Sequence, residues 1–320
     1  MTERFGFMLI PGFSNISLAV VMEPLRMANR QAQQDLFAWF ILSPDDGPVT
    51  TASELEIAPN MLRQDADTLD VVIVVAGMNA HEIEDHELNR WLRHLARQPV
   101  TLGAVSTGTL LLARAKVIQD KVCTIHWENM GGLREEFPHL NVSGELYEFD
   151  KYLMTSSGGV SGLDMMLHYI ALQHGDTFAN DLAEMCIHPK IRPAHEDHRM
   201  ALQTKFNVHH PRLLRAIELM REHLEEPLLL HDLAQQAGLS LRQMERLFKE
   251  KLEQRPAVFY LHLRLERARL LLHQSALSVL NVATACGFNS ATYFAKCYRK
   301  KYHCSPRDER RGSRQTGQYQ

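Results

Sequence analysis

Three stretches of the sequence hold residue types at spacings that suit chemistry. In AVSTGTLLLA, residues 104–113, Ser106 follows an apolar run and precedes a Leu-rich segment, so its hydroxyl falls on a strand-to-helix turn. A side chain there is exposed and the N–H groups from Thr107 onward point at whatever binds, as at a nucleophile elbow. CTIHWE, residues 123–128, adds an imidazole at His126, an indole at Trp127 and a carboxylate at Glu128. The third stretch, residues 277–306, is LSVLNVATACGFNSATYFAKCYRKKYHCSP. Its Val279, Val282, Ala283, Phe288, Phe294 and Tyr298 recur at helical spacing, leaving Lys296, Arg299, Lys300 and Lys301 free to meet a partner. A short helix with base-edge donors on its free face and cations beside it is what reading a DNA major groove requires.

Positioning the first two stretches calls for a sheet. Residues 4–10 are an apolar run stopped by Pro11-Gly12, residues 37–42 are another, and VVIVVA at 71–76 is the most strand-like segment of the chain. Helices alternate with these runs: one capped by Ser14-Asn15 that turns Leu18, Val21, Leu25 and Met27 inward, then 87–97, 109–115 and 163–174, with a strand at 100–105 and a hairpin within 142–157. Continuous apolar strands alternating with helices imply a parallel sheet covered on both faces, a doubly wound α/β domain. Ligands of such sheets bind at the carboxyl ends of the strands. That nominates residues 11–15, 77–79 and 106–108, joined by the CTIHWE segment, and gives the candidate ligand-binding set Phe13, Asn15, Gly77, Met78, Ser106, Thr107, His126 and Trp127. The blander alternatives are a helix N-cap for Ser106 and core packing for Trp127.

From residue 213 onward the pattern is wholly helical. A helix over 213–225 leads into LLLHDLAQQAGLSLRQMERLFKEKL, residues 228–252, where Gly238 permits a left-handed turn and Ser240 an N-cap. This is a second helix-turn-helix, all-α like the stretch at 277–306. The helix expected over 257–273 joins the two and rises ~25 Å. With the width of each motif added, the reading helices reach successive major grooves ~34 Å apart, so one chain can read an asymmetric site. The first reading helix offers Arg242, Glu245, Arg246 and Lys249, the second Ser290, Ala291, Thr292 and Lys296. Arginines suit guanine, and Ala291 or Thr292 suits a thymine methyl. Lys300 and Lys301 are expected to hold phosphate.

At 320 residues, 45% hydrophobic and 23% charged, the chain has the composition of a globular protein of two domains. It lacks the ~20-residue apolar run of a membrane-spanning helix. Its start, MTERFGFMLIPGF, breaks too early for a secretory signal, so a cytoplasmic location is expected. Five scattered cysteines suggest neither a disulfide framework nor a zinc site. His188, His195, His198, His209 and His210 are irregularly spaced in a polar segment and read as a solvated linker; no metal and no cofactor is expected. Residues 201–320 hold 20 Lys+Arg against 11 Asp+Glu, and the first 200 residues hold 15 against 27. A basic half on an acidic half points to a nucleic-acid-binding module joined to a module with another task.

Ala283, Ala285, Gly287, Phe288, Ser290, Tyr293, Phe294, Tyr298, Arg299, Ser305 and Pro306 meet the pattern of the AraC/XylS family of bacterial transcription activators, which the C-terminal third resembles. His303 stands where that family usually has Gly. PGFSNISLAVVMEPLRMANR, the 104–113 elbow and TIHWEN are similar to the amidotransferase-like, DJ-1/PfpI-type domain of the GlxA-like subgroup, and EPLRMANR to regulators of glycine betaine, carnitine or arginine catabolism. The resemblance implies a sensor at 1–187, a linker at 188–210, a DNA-binding domain at 211–310 and a disordered tail at 311–320. It implies a transcription activator whose partners are double-stranded promoter DNA, a small-molecule effector, RNA polymerase and a second copy of the chain. A quaternary ammonium effector would place its methyl groups against Phe13, Trp127 or Tyr147 and its carboxylate on N–H groups near Ser106 and Thr107; an arginine-like one would want Glu23 or Glu128. Enzymes on the resembled fold use Cys at the elbow, a nearby His and an acid close to the first strand end. Ser106 stands at the elbow here, and the loop after Pro11-Gly12 supplies Ser14 and Asn15, so the expectation is a binding site, not an enzyme. A hydrolase or glyoxalase with a DNA-binding tail is the rival reading, with His126 as base, and a DNA-binding protein with no small-molecule input is the third.

Overall fold

The computed structural model describes residues 2–195, 210–275 and 277–316. They form two compact units, the first holding residues 2–195 and the second residues 210–275 and 277–316. Among the described residues no helix is long and apolar enough to cross a membrane.

The first unit is a six-stranded sheet. Its strands are β1 (Glu3–Leu9), β2 (Phe37–Leu42), β5 (Val71–Ala76), β6 (Thr101–Ser106), β9 (Tyr147–Asp150) and β10 (Leu153–Ser156), in the order β2-β1-β5-β6-β10-β9. Two small two-stranded sheets complete it, β3 (Val49–Thr50) with β4 (Glu56–Ile57) and β7 (Val122–Cys123) with β8 (Asn141–Val142). Pairing within the main sheet is parallel except at the β9–β10 hairpin on one edge. Alternate side chains serve two cores. Met8, Val72, Val74, Leu102 and Ala104 meet α2 (His86–Leu95) and α3 (Gly108–Arg114), while Phe5, Phe7, Val71, Ile73 and Val105 meet α1 (Asn15–Ala32), α5 (Ser161–His174) and α6 (Asp176–Met185). Both faces are thus covered, and the doubly wound architecture expected from the apolar runs is present. A short helix, α4 (Met130–Glu136), packs beside β8.

The chain runs from β1 outward to β2 and then crosses to β5, so the winding reverses between β1 and β5. Register keeps the carboxyl ends level: Leu9 is beside Val75, Ala76 beside Ser106, and Ser156 beside Val105.

Residues 188–195, expected as linker, are instead built into this unit. Asp164 on α5 is fully buried; its carboxylate accepts from the Arg192 guanidinium at 2.7 and 3.0 Å, from the Arg192 amide at 2.7 Å, and lies 2.8 Å from His188 Nε2. Leu146 donates its amide to the Ala194 carbonyl at 2.8 Å. His195 is exposed, and His198 and His209 lie outside the described residues. A buried carboxylate needs compensating charge, and the polar segment supplies it.

The second unit is helical: α7 (Pro211–Glu222), α8 (Leu230–Gln236), α9 (Leu241–Leu252), α10 (Pro256–Gln274), α11 (Val279–Ala285), α12 (Ala291–Tyr302) and α13 (Pro306–Thr316). The His210 side chain caps α7 by accepting from the Leu213 amide. One apolar cluster gathers α7, α8, α9 and the first half of α10; a second gathers the other half of α10 with α11 and α12. At 19 residues, α10 rises ~28 Å. The expected disordered tail at 311–320 is helical as far as Thr316, because Glu309 anchors the first turn to α10 and propagation from a formed turn is easy.

Candidate effector site and nucleic-acid interface

The three nominated strand ends meet. Gly77 can have no side chain, since a Cβ there would lie 1.9 Å from the Gly12 carbonyl oxygen. The Thr107 hydroxyl donates to the Gly77 carbonyl. Ser106 ends β6 on the strand-to-helix turn that the AVSTGT stretch predicts, but its side chain is not exposed as expected: at 8% exposure it is buried, and its φ of 61° is left-handed, because Gly158 closes over it. Gly108 sits so close to β5 that a Cβ would come within 2.4 Å of the Val74 carbonyl oxygen. The elbow is therefore clamped on both sides by backbone.

His126 and Trp127 reach the same place by a chain of threonines. Thr109 donates to the Thr124 carbonyl at 2.7 Å, and the Thr124 amide donates to the Thr155 hydroxyl on β10 at 2.9 Å. This bolts the 123–128 segment between α3 and β10, and the His126 amide ties it to the end of β6 by donating to the Ser106 carbonyl at 3.3 Å. The His126 and Trp127 rings are 5.8 Å apart, both half-buried, and Glu128 Oε2 lies 3.9 Å from His126 Nδ1.

A fourth strand end, which the apolar runs of the sequence do not single out, belongs to the site. After β10, SSGGVS (156–161) turns through two left-handed glycines, with φ of 89° at Gly158 and 55° at Gly159. Ser156 and Ser157 each lie 3.0 Å from the Ser161 hydroxyl, and a Cβ on Gly158 would lie 2.8 Å from the Ser106 Cβ. Paired glycines between serines at a strand end were the available signal.

Other candidates fall elsewhere. Phe13 is fully buried in the core on the α1 face, so it cannot wall a ligand; its backbone instead holds the β3–β4 hairpin by accepting from Ala52 at 2.8 Å. Tyr147 is buried against His168, and burial, with Asp164 nearby, pushes its phenol up to about 12. Glu23 is a surface residue paired with Arg26 at 2.6 Å, not a buried carboxylate. Asn15 is half-buried and donates to the Ser53 hydroxyl, and Met78 is 39% exposed at the lip.

In the second unit all eight DNA candidates are exposed. Arg242, Glu245, Arg246 and Lys249 share one concave face with Ser240 and with Arg255, which lies beyond the end of α9. Ser240 and Gln243 form a reciprocal capping box, and Ser290 caps α12 by accepting from the Tyr293 amide at 3.3 Å. Both turns are gripped in the same way: Arg212 donates to the Gly238 carbonyl at 3.0 Å, and Arg264 to the Gly287 and Cys286 carbonyls at 2.6 and 2.7 Å. Gly287 has φ 73°, and a Cβ would strike Pro227 and the Glu225 carbonyl. Lys301, expected on phosphate, donates instead to the His262 carbonyl and pairs with Glu266 at 3.0 Å. His303 does not alter its turn; it adopts the left-handed φ of 62° that glycine would. Cys286 is in the core and Cys297 packs against it. Among the described residues no group of His, Cys, Asp or Glu could hold a metal ion.

Known proteins resemble both units. Residues 6–172 match the DJ-1/PfpI family and residues 233–312 a helix-turn-helix domain. The HTH-type transcriptional regulator CdhR of Pseudomonas aeruginosa is 39% identical over 97% of this chain and 92% of its own length. GbdR, an HTH-type transcriptional regulator of the same species, is 40% identical over 97% of this chain and 84% of its own length. A solved AraC family transcriptional regulator from Pseudomonas putida is 27% identical, with a TM-score of 0.54 across 57% of this chain and 99% of that one.

Proposed function

Since the chain belongs to the DJ-1/PfpI family over its first half and, over nearly its full length, to the HTH-type transcriptional regulators, it is a DNA-binding transcription regulator, and we propose that a small carboxylate-bearing metabolite controls it from the Ser106 elbow. The observation that carries this reading is Ser106 itself, left-handed and nearly buried where four strand ends meet, with Gly158 pressed against it. Strain of this kind, of order 1–3 kcal/mol, persists where surrounding structure over-determines it, and such places are commonly ligand sites. The amides of Thr107 and Gly108 begin α3 and suit a carboxylate. Trp127 suits the methyl groups of a quaternary ammonium such as glycine betaine or carnitine.

We read the elbow as binding without turnover. Its side chain is a hydroxyl, and the loop at residues 11–15 brings Ser14 and Asn15 but not a carboxylate to the first strand end. Cys123, in the neighbouring segment, is fully buried, and burial, aided by Glu148, pushes its thiol up to about 11, far from a thiolate at neutral pH. In this reading residues 1–187 are the sensor and 211–310 the DNA-binding domain; the protein acts in the cytoplasm, pairs with a second copy through its sensor, and activates transcription with RNA polymerase as a further partner.

A thermal-shift panel of glycine betaine, dimethylglycine, carnitine, choline and arginine on the full chain tests the sensor. One of these compounds at 100 times its Kd should stabilise the protein by ~2.7 kcal/mol, and Ser106→Trp should abolish that gain. A panel that shifts nothing, or a shift retained in Ser106→Trp, removes the elbow as the site.

A further inference from the structure

The two reading helices are copies of one frame, and we propose that they carry different base codes: α9 marks a G·C half-site and α12 a thymine-rich one. This rests on the reading of both helices as groove-entering. Ser240 and Ser290 hold the two N-caps, Glu253 and His303 the left-handed residue after the last turn, and Pro256 and Pro306 the start of the following helix. Met244 and Phe294 are buried at the same place in the frame, as are Phe248 and Tyr298. Outward positions therefore correspond as well.

At those positions the chemistry diverges. Arg242 stands where α12 has Thr292, Glu245 where it has Ala295, and Arg246 where it has Lys296. A guanidinium fork matches the O6 and N7 acceptors of guanine, and a carboxylate accepts from the cytosine amino group, so α9 carries both halves of a G·C code. Thr292 offers a methyl group. Beside it Tyr293 is 54% exposed, whereas the corresponding Gln243 has its carbonyl engaged by the Ser240 amide at 2.8 Å. A methyl and an aromatic edge suit the C5 methyl of thymine. Lys296 remains for a guanine or a phosphate.

The full chain is used to select sites from a random duplex library. Each thymine of the selected site is then replaced by deoxyuridine, which removes only the C5 methyl. In one half each contacted methyl should be worth about fourfold in affinity, and in the other half the replacement should change nothing. Thr292→Ser, which deletes only the proposed methyl partner on an exposed helix face, should shrink the uridine penalty. Arg242→Ala should relax guanine preference in the opposite half by roughly 5- to 150-fold. A symmetric site, equal uridine penalties in both halves, or a penalty unchanged by Thr292→Ser overturns the proposal while leaving DNA reading intact. Failure to enrich any duplex overturns the groove-entering assignment beneath it.

Discussion

Ser106 and His303 hold nearly the same backbone angle, φ 61° and 62°, in opposite surroundings. Ser106 closes a buried strand, with Gly158 pressing on its Cβ and its carbonyl accepting from His126. His303 is exposed and merely ends α12, its amide donating to the Arg299 carbonyl at 2.9 Å. The same local cost of ~1–2 kcal/mol is enforced from outside at one place and only tolerated at the other. Strain becomes informative about function where neighbours leave the chain no alternative. The most direct way to break this contrast is Gly158→Ala, which adds an unfavourable φ of 89° to a Cβ 2.8 Å from Ser106. We expect the first unit to lose about 2–5 kcal/mol in denaturant unfolding. A loss below ~0.5 kcal/mol, the ordinary scatter of surface changes, would mean that Ser106 is not held from outside.

The next effect concerns what holds the Gly158 loop. That loop leads into α5, and α5 is tied down by Asp164 through Arg192 and His188. Asp164→Ala leaves the Arg192 charge unpaired, which in a fully buried site costs ~3–5 kcal/mol; because Arg192 can turn partly to solvent, about 2 kcal/mol is the expected loss. Equal melting of variant and parent would show that the segment at 188–195 does not brace the elbow.

The elbow was legible in the sequence, and its brace was not, for one reason. AVSTGT and the helix-turn-helix patterns are local, and apolar runs ended by Gly or Ser announce where strands stop. Phe13, Tyr147 and Lys301 lie elsewhere than expected because their places are decided by elements far along the chain: the α1-face core, the buried Asp164 region, and the His262 carbonyl on α10. Residues 188–195 look like linker because polar side chains in such a stretch are expected to be solvated, whereas one buried carboxylate 24 residues upstream of His188 engages both His188 and Arg192. Burial of a partner is the quantity that a single sequence does not display.

A sharper form of the contrast replaces each strained residue with glycine. His303→Gly should raise stability by about 0.5–1 kcal/mol, the relief of the left-handed angle less the added freedom of the unfolded chain. Glu253→Gly, at the same place in the first copy with φ 55°, should match it. Ser106→Gly gains the same relief but loses a packed hydroxyl group, so its melting temperature should stay near that of the parent while ligand-induced stabilisation weakens, because a glycine no longer fixes the direction of the Thr107 and Gly108 amides. A large gain at Ser106 with ligand response intact would make the elbow an ordinary turn.

The smallest expected effect tests how the tolerated turn is kept in place. Directly after His303, the Cys304 thiol donates to Glu309 at 2.9 Å, and Arg269 and His273 meet the same carboxylate at 2.9 and 2.8 Å. Burial alone would raise the carboxyl group of Glu309, but the hydrogen bonds from Cys304, Arg269 and His273 outweigh it and hold the group below its ordinary value. A depressed carboxylate contributes stability that is complete above the unfolded value of ~4.3 and is lost as pH falls through the lower folded value. The melting gap between the parent and Glu309→Gln should therefore be full near neutrality and close as the solution is acidified below that range. A gap independent of pH would mean that Glu309 acts there through shape and hydrogen bonding, not through its charge, and that the His303 turn is anchored without electrostatic help.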